Sequence, residues 1–178
     1  MPEEIEVPTE KLHETIKEEA EKAREKWILL VALSTAVLAV FAALCSLMAG
    51  HHANEALIEQ IQASDQWAYY QAKGIKAAVL ESKVETLQAL GKQISAMDEE
   101  KIRRYKKEQR EIEERASAKE KASSIHLVTH NTLSKAVTVF QIAIAVSAIS
   151  VLTRRKWLWA GSGVLGLTGL IFLIQALL

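Results

Sequence analysis

Three long apolar segments constrain this chain more than any other feature of its sequence. They cover Trp27–Met48, Ala136–Leu152 and Trp157–Leu178, and none contains Asp, Glu, Lys, Arg or His. The hydrocarbon core of a bilayer is about 30 Å thick, and an apolar helix of roughly 17–25 residues crosses it. The sequence therefore predicts an all-α membrane protein with three transmembrane helices.

Between and before these segments the chain is highly charged. We expect an acidic helical arm (1–26), a first transmembrane helix (27–50), an extramembrane segment (51–132) and two further transmembrane helices (133–152 and 157–178). The arm has nine acidic and five basic residues, whereas the extramembrane segment has thirteen of each. This balance differs from the one-sided basic surface of nucleic-acid-binding proteins, so no nucleic-acid partner is expected.

The extramembrane segment is predicted to form a long antiparallel helical hairpin that resembles a coiled coil. It has no proline and is rich in residues with high helix propensity. Gly91 lies near its midpoint, and we expect one arm over His51–Leu90 and the other over Asp98–Thr132. Ser95 and Asp98 are candidate caps of the second arm.

The first arm of the hairpin has a stripe of apolar and small residues at alternating steps of four and three. Its members are Leu57, Ile61, Ser64, Ala68, Gln71, Ile75 and Ala78. This spacing is typical of coiled-coil packing. The returning arm is poorer in apolar residues, so the hairpin alone would bury little apolar surface. We therefore expect further copies of the chain as partners.

Basic residues predict the orientation in the membrane. Five precede the first span, and Arg154, Arg155 and Lys156 fill the connector between the second and third spans. Because Lys and Arg accumulate in short loops on the cytoplasmic side, the N-terminus and this connector are predicted to be cytoplasmic. Residues 51–132 and the C-terminus are then on the opposite side.

Four histidines are candidate metal ligands at the membrane end of the hairpin. His51 and His52 begin the first arm, and His126 and His130 end the second. The i, i+4 spacing of the second pair places both side chains on one helix face, as in helix-borne metal sites. Zinc or copper is the candidate metal, and hydrogen bonding at the lipid interface is the alternative. No other cofactor is expected.

The most distinctive local feature is the aromatic stretch Ser64–Lys76. Trp67 and Tyr70 are three residues apart and share a helix face, whereas Tyr69 points elsewhere. Gly74 follows Tyr70 by one turn and leaves room for a ring or a neighbouring backbone. These four residues are predicted either to pack between arms or subunits, or to form an interaction surface for a ligand or protein partner.

Small residues recur at steps of three and four in all three spans, which permits close helix approach in lipid. They are Ala32, Ala36, Ala39 and Ala43 in the first span, Ala143, Ser147 and Ser150 in the second, and Ser162, Gly163, Gly166 and Gly169 in the third. Gln141 and Gln175 are the most polar side chains of the spans. They are expected to form hydrogen bonds between helices or to line a pore.

The chain has no glycine-rich phosphate loop, nucleophile elbow, HExxH motif or paired-cysteine metal site. Long helices without pocket-forming loops rarely build an active site alone. We therefore expect a protein that is not an enzyme.

The stretch Ser64–Lys76 has a characteristic place in the chain: it follows a first span and precedes a long charged helix and two closing spans. In this it resembles a domain-of-unknown-function family of small bacterial inner-membrane proteins. The resemblance extends from the acidic arm through the last span. It implies a bacterial inner-membrane protein with no established activity, and it supplies no catalytic residues. In such a membrane, the orientation predicted from the basic residues places residues 51–132 and the C-terminus in the periplasm.

The predicted function is that of a non-enzymatic, homo-oligomeric membrane scaffold whose hairpin projects from the bilayer as a stalk. Its partners are the bilayer, further copies of the chain and an unidentified protein. One alternative is an oligomeric channel for ions or small solutes, with Gln141 or Gln175 lining the path. Another is a periplasmic metal or stress sensor that uses the four histidines.

Overall fold

The described part of the chain consists of three helices joined by two short connections. The computed structural model describes the backbone from residue 8 to residue 178, and side chains at 17, 18, 21, 22 and from 25 onward. Helix α1 spans Pro8–Ala89, α2 spans Ala96–Thr153 and α3 spans Lys156–Leu177. The helices pack antiparallel, which confirms the predicted all-α class. Residues 1–7 of the predicted arm lie outside the described residues.

The chain divides into two compact units. The apolar unit comprises the described residues up to Leu47 together with Thr132–Leu178, and the hairpin unit comprises Met48–Asn131. Helices α1 and α2 contribute to both units, whereas α3 belongs to the apolar unit alone. The predicted extramembrane segment, 51–132, lies almost wholly within the hairpin unit.

All three helices contain a segment that is long and apolar enough to cross a membrane. The most apolar windows of α1, α2 and α3 have mean hydropathies of 2.7, 2.1 and 1.8. Length and composition therefore indicate a membrane protein with three candidate spans.

The core of the apolar unit lies where the three helices meet. Phe140 of α2 is fully buried and stacks on Phe41 of α1 with ring centroids 5.9 Å apart. A Cβ atom added at Gly169 of α3 would lie 2.8 Å from the Phe140 ring, and one at Gly166 would lie 2.7 Å from Leu38. Gly169 is thus needed for the close approach of α3 to α2, whereas the contact at Gly166 is with a methyl group of the flexible Leu38 side chain. Further buried residues are Val31, Ala42, Cys45, Leu133, Ala136 and Ala143.

The arms of the hairpin unit pack through small side chains. Ala56, Ala63 and Ala77 are buried on the first arm, at steps of seven or fourteen residues. The Ser123 hydroxyl of the second arm is buried too and donates a hydrogen bond to the Ala56 carbonyl oxygen at 2.8 Å. A side chain reaches the opposite backbone here because alanine lets the two helices come close.

The apolar stripe of the first arm does not face the second arm. Leu57, Ile61 and Ile75 are 60%, 53% and 65% exposed, and the remaining stripe residues are exposed as well. The stripe with coiled-coil spacing is therefore not the interface between the two arms of the hairpin. The alanine face packs instead, because it permits a shorter distance between the helices and hydrogen bonding between the arms.

The hairpin turn needs a glycine. Gly91 has a φ of +65°, in the left-handed region that glycine adopts without steric cost. Helix α2 begins at Ala96, so Ser95 occupies the preceding capping position, and its carbonyl oxygen accepts a hydrogen bond from the Asp98 N–H at 2.9 Å. Asp98 is not a cap. Its buried carboxylate accepts a 2.6 Å hydrogen bond from the Lys83 ammonium of the first arm.

Candidate functional site

Trp67 and Tyr70 form an aromatic pair on the hairpin. Their ring centroids are 5.5 Å apart with an edge-to-face angle of 77°, a favoured geometry for aromatic rings. Both side chains are half-buried. The Trp67 Nε1–H donates a hydrogen bond to Glu120 of the second arm at 2.9 Å. The pair thus contributes to packing between the arms.

Tyr69 lies outside this pair and is 50% exposed. Its ring flanks the Lys73 ammonium, which lies 5.2 Å from the Tyr69 centroid and 5.1 Å from the Tyr105 centroid. The same ammonium pairs with the Glu108 carboxylate at 2.5 Å. This hydrogen bond raises the pKa of Lys73 and lowers the pKa of Glu108. Both side chains are therefore charged at neutral pH, and Tyr69 has one face at the ion pair and one in solvent.

Gly74 provides space for an amide side chain. A Cβ added there would lie 2.6 Å from Gln109 Nε2, which donates a hydrogen bond to the Tyr70 carbonyl oxygen at 3.3 Å. The sequence predicted space for a ring or a backbone at this position. The structure places a glutamine side chain there instead, since the second arm presents a long polar residue at this level.

The four candidate histidines do not form one site. His52 Nδ1 and His126 Nδ1 lie 2.9 Å apart, so one ring donates the hydrogen bond and the other accepts it. His130 Nδ1 donates to the Ala49 carbonyl oxygen at 2.8 Å. His51 is exposed, and its ring centroid lies 5.6 Å from that of His52. Two of the four side chains are thus joined, and a third bonds to backbone.

Burial lowers the pKa of His52, and the neighbouring His126 and His51 lower it further. A hydrogen bond between two imidazoles requires at least one neutral ring as the acceptor, and the lowered pKa of His52 favours a neutral ring there. Among the side chains that the structure describes, no group of three or more His, Cys, Asp or Glu has a geometry that would hold a metal ion. The arrangement is a hydrogen-bonded histidine pair between the arms.

The candidate residues of the spans take different positions in the apolar unit. Gly166 and Gly169 are buried against α1 and α2, whereas Gly163 is exposed and a Cβ added there would meet no atom within 4 Å. Gln141 and Gln175 are exposed on the surface of this unit. Neither glutamine bonds to another helix of the same chain among the described residues, so pore lining would require additional copies.

The stripes of small residues also differ between helices. The second-span residues Ala143, Ser147 and Ser150 are fully buried. The first-span stripe is exposed throughout, and its members are Ala32, Ala36, Ala39 and Ala43. The face of α1 that packs against the other helices contains Val31, Ala42 and Cys45, so it is shifted around the helix by about one residue from the exposed alanine stripe. The alanine stripe of α1 is therefore available to another helix.

Hydrogen bonds of Ser and Thr hydroxyls join the helices inside the apolar unit, and they were not predicted from the sequence. Thr35 Oγ1 and Ser147 Oγ lie 2.7 Å apart and join α1 to α2, and Trp159 Nε1 donates to Ser34 Oγ at 3.0 Å and joins α3 to α1. Ser and Thr residues within otherwise apolar spans could have predicted these contacts, because their hydroxyls form hydrogen bonds between transmembrane helices.

Comparison with known proteins places this architecture in a family. No curated protein and no solved structure matches the chain. A family model described as a domain of unknown function, DUF4337, matches residues 27–178, which include all three apolar segments and the whole hairpin. The chain belongs to the DUF4337 family.

Proposed function

We propose that this protein is a non-enzymatic membrane scaffold that assembles from several copies of the chain and displays its helical hairpin outside the bilayer. The apolar unit anchors each copy, and the hairpin unit supplies the surface for association. Each copy combines an anchor of three spans with a long charged hairpin that has an unpartnered apolar face.

The exposed stripe on the first arm is the observation that carries this proposal. Leu57, Ile61 and Ile75 are each more than half exposed, and they recur at the steps of a coiled-coil seam. The arms of the hairpin use a different face, so the stripe is unpaired within the chain. A regular apolar seam on a helix is usually covered by another helix.

The alanine stripe of α1 supports the same proposal within the membrane. Ala32, Ala36, Ala39 and Ala43 are exposed and have the four-three spacing that continues, in the sequence register, to Leu57. Small side chains permit the close packing that drives helix association in lipid. Both exposed stripes of α1 therefore favour contact between copies along the same helix.

The proposed location is the bacterial inner membrane. The cations of the 153–156 connector favour a cytoplasmic position for it and for the N-terminus, with the hairpin and the C-terminus in the periplasm. Tyr69 is the exposed aromatic residue of the Ser64–Lys76 stretch and the first candidate contact for an additional protein.

The test compares two charge insertions with identical spacing on the same arm. Leu57→Glu with Ile61→Glu places charges in the stripe, and Ile58→Glu with Gln62→Glu places them one residue further along, on exposed positions outside it. Burying unpaired carboxylates in an interface costs several kcal/mol. We expect the stripe variant to dissociate at least tenfold more readily than the control, measured by native mass spectrometry of the complex in nanodiscs.

Other results of this measurement contradict the proposal. A wild-type chain that is monomeric at micromolar concentration rules out self-assembly, and equal behaviour of the two variants rules out the stripe as the interface. A closed ring that conducts ions in planar bilayers, with the current removed by Gln141→Leu or Gln175→Leu, would establish the channel alternative instead.

A further inference from the structure

The surface of the apolar unit has a groove. It lies between α1 and α3, has a volume of about 440 Å³, and is walled mostly by aliphatic and aromatic side chains. Phe140 of α2 and Gly166 of α3 contribute to its lining. The alanine stripe lies on roughly the opposite side of α1, because its positions are half a turn away from the groove residues. The groove is therefore separate from the proposed contact between copies.

One end of this groove is polar. Ser34, Trp159 and Ser162 line it there, and Trp159 Nε1 donates to the Ser34 hydroxyl. Ser162 is only 2% exposed, yet its hydroxyl has no hydrogen-bond partner among the described residues. A groove-lining hydroxyl that has no acceptor is unsatisfied in apolar surroundings, so this end favours a ligand that brings an acceptor oxygen.

Positive charge lies next to the polar end. Arg154 and Arg155 precede α3 and Lys156 is its first residue; all three are exposed, and none forms an ion pair with a described residue. Lys156 begins the groove-lining face of α3, since the lining residues follow it at steps of three and four: Trp159, Gly163, Gly166 and Leu170. The N-terminus of α3 adds its own partial positive charge.

We propose that the groove between α1 and α3 binds an anionic glycerophospholipid of the surrounding bilayer. One acyl chain lies along the apolar walls, the Ser162 hydroxyl donates to an ester oxygen, and the phosphate lies at Lys156 and the start of α3. The groove is apolar along most of its length and has hydroxyl groups and positive charge at one end. An anionic phospholipid has the same division, with an apolar acyl chain and a polar, negatively charged headgroup. Basic sites at the ends of transmembrane helices bind anionic headgroups in this way.

Two glycines of α3 provide a matched test of the acyl-chain position. Gly163 lines the groove and Gly161 does not, and a Cβ added at either meets no atom within 4 Å. Gly163→Leu therefore fills the groove without displacing a helix, and Gly161→Leu adds the same side chain elsewhere. The full chain is incubated with dioleoyl phosphatidylglycerol or dioleoyl phosphatidylcholine, and retained lipid is counted by native mass spectrometry.

We expect the wild type and Gly161→Leu to retain phosphatidylglycerol at least about fivefold more than phosphatidylcholine, and Gly163→Leu to lose most of both. Lys156→Gln removes one cation near the headgroup and should weaken phosphatidylglycerol binding about fivefold, leaving phosphatidylcholine unchanged. Lys92→Gln, in the hairpin turn, is the charge control. Because Lys156 is exposed, this second variant tests the site even where a groove substitution affects folding.

Three results would overturn the proposal. Equal lipid retention by Gly163→Leu and Gly161→Leu excludes the groove as the acyl site. Equal retention of the two lipids by the wild type excludes recognition of an anionic headgroup. A Gly163→Leu variant that keeps its lipid but falls from an oligomer to a monomer shows that a second copy of the chain occupies the groove.

Discussion

At the scale of single residues, the glycines of α3 determine how closely that helix packs. Gly161 and Gly169 lie on the same helix but in different surroundings. A Cβ added at Gly169 would come within 2.9 Å of three atoms of the buried Phe140 ring, whereas one at Gly161 meets nothing within 4 Å. The same substitution therefore has two different expected outcomes.

Gly169→Ala should destabilise the apolar unit by about 1–3 kcal/mol, because the rigid Phe140 ring has to move. Gly161→Ala should be neutral or slightly stabilising, since alanine has the higher helix propensity. Thermal unfolding in detergent measures both. Equal melting temperatures for the two variants would contradict the packing of α3 against Phe140.

The histidine pair predicts a dependence of the hairpin on pH. Burial and the neighbouring histidines lower the folded-state pKa of His52 below 6.5, although Glu55 opposes this shift. A group with a lowered histidine pKa is neutral when folded and binds more protons when unfolded. Its stabilising contribution is therefore complete above pH 6.5 and is lost as the pH falls through the folded-state pKa. His51, His126 and His130 are the other titratable groups that act on it.

Hydrogen exchange of the hairpin amides between pH 7.5 and pH 5 tests this expectation, after correction for the intrinsic effect of pH on exchange. The wild type should lose protection near Ala56 as the pH falls. His52→Gln should flatten this response, because glutamine does not titrate. An unchanged pH response in His52→Gln would show that another group controls the opening.

At the scale of elements, one aromatic side chain of the first arm packs against the second arm, and another is exposed and free for contact with a partner. Trp67 is half-buried and bonds to Glu120 on the opposite arm, whereas Tyr69 is half exposed. Trp67→Ala should therefore destabilise the hairpin by about 2 kcal/mol through lost apolar contact. Tyr69→Ala removes one cation–π contact with Lys73 and should cost less than about 1 kcal/mol.

Chemical denaturation followed by circular dichroism compares these two variants, and cross-linking to other proteins reports the effect on contacts. Loss of cross-links in Tyr69→Ala with a stable hairpin would support Tyr69 as a contact residue. A larger loss of stability in Tyr69→Ala than in Trp67→Ala would contradict the observed division between buried and exposed rings.

At the scale of the whole molecule, the orientation in the membrane is open to direct labelling. Cys45 is the only cysteine of the chain and is fully buried, so the natural protein provides an unlabelled background. Ser95→Cys introduces a thiol in the exposed hairpin turn, and Thr153→Cys introduces one beside the basic connector. A membrane-impermeant maleimide should label Ser95→Cys on intact cells and Thr153→Cys only after permeabilisation. The opposite pattern would invert the proposed topology.

Much of the architecture was predictable from local properties of the sequence. Uncharged apolar runs indicated the three candidate spans, and Gly91, near the middle of a proline-free charged segment, indicated the hairpin turn. Each of these patterns is contained in a short stretch of the sequence, so it can be recognised without knowing which distant residues come into contact. The shared face of Trp67 and Tyr70 followed from helix geometry in the same way.

Local sequence patterns thus suffice to predict that this protein is helical, that it has three segments suited to a membrane, and roughly where the hairpin turns. Which helix faces pack together follows from the three-dimensional structure. Leu57 and Ile61 have the more apolar seam, yet Ala56 lies at the interface because Ser123, 67 residues away, bonds to its carbonyl oxygen. Likewise His52 meets His126 without assembling the four predicted ligands. Which faces pack depends on how closely residues far apart in the sequence can approach one another. The periodicity of hydrophobic residues along one helix does not show how close that approach is.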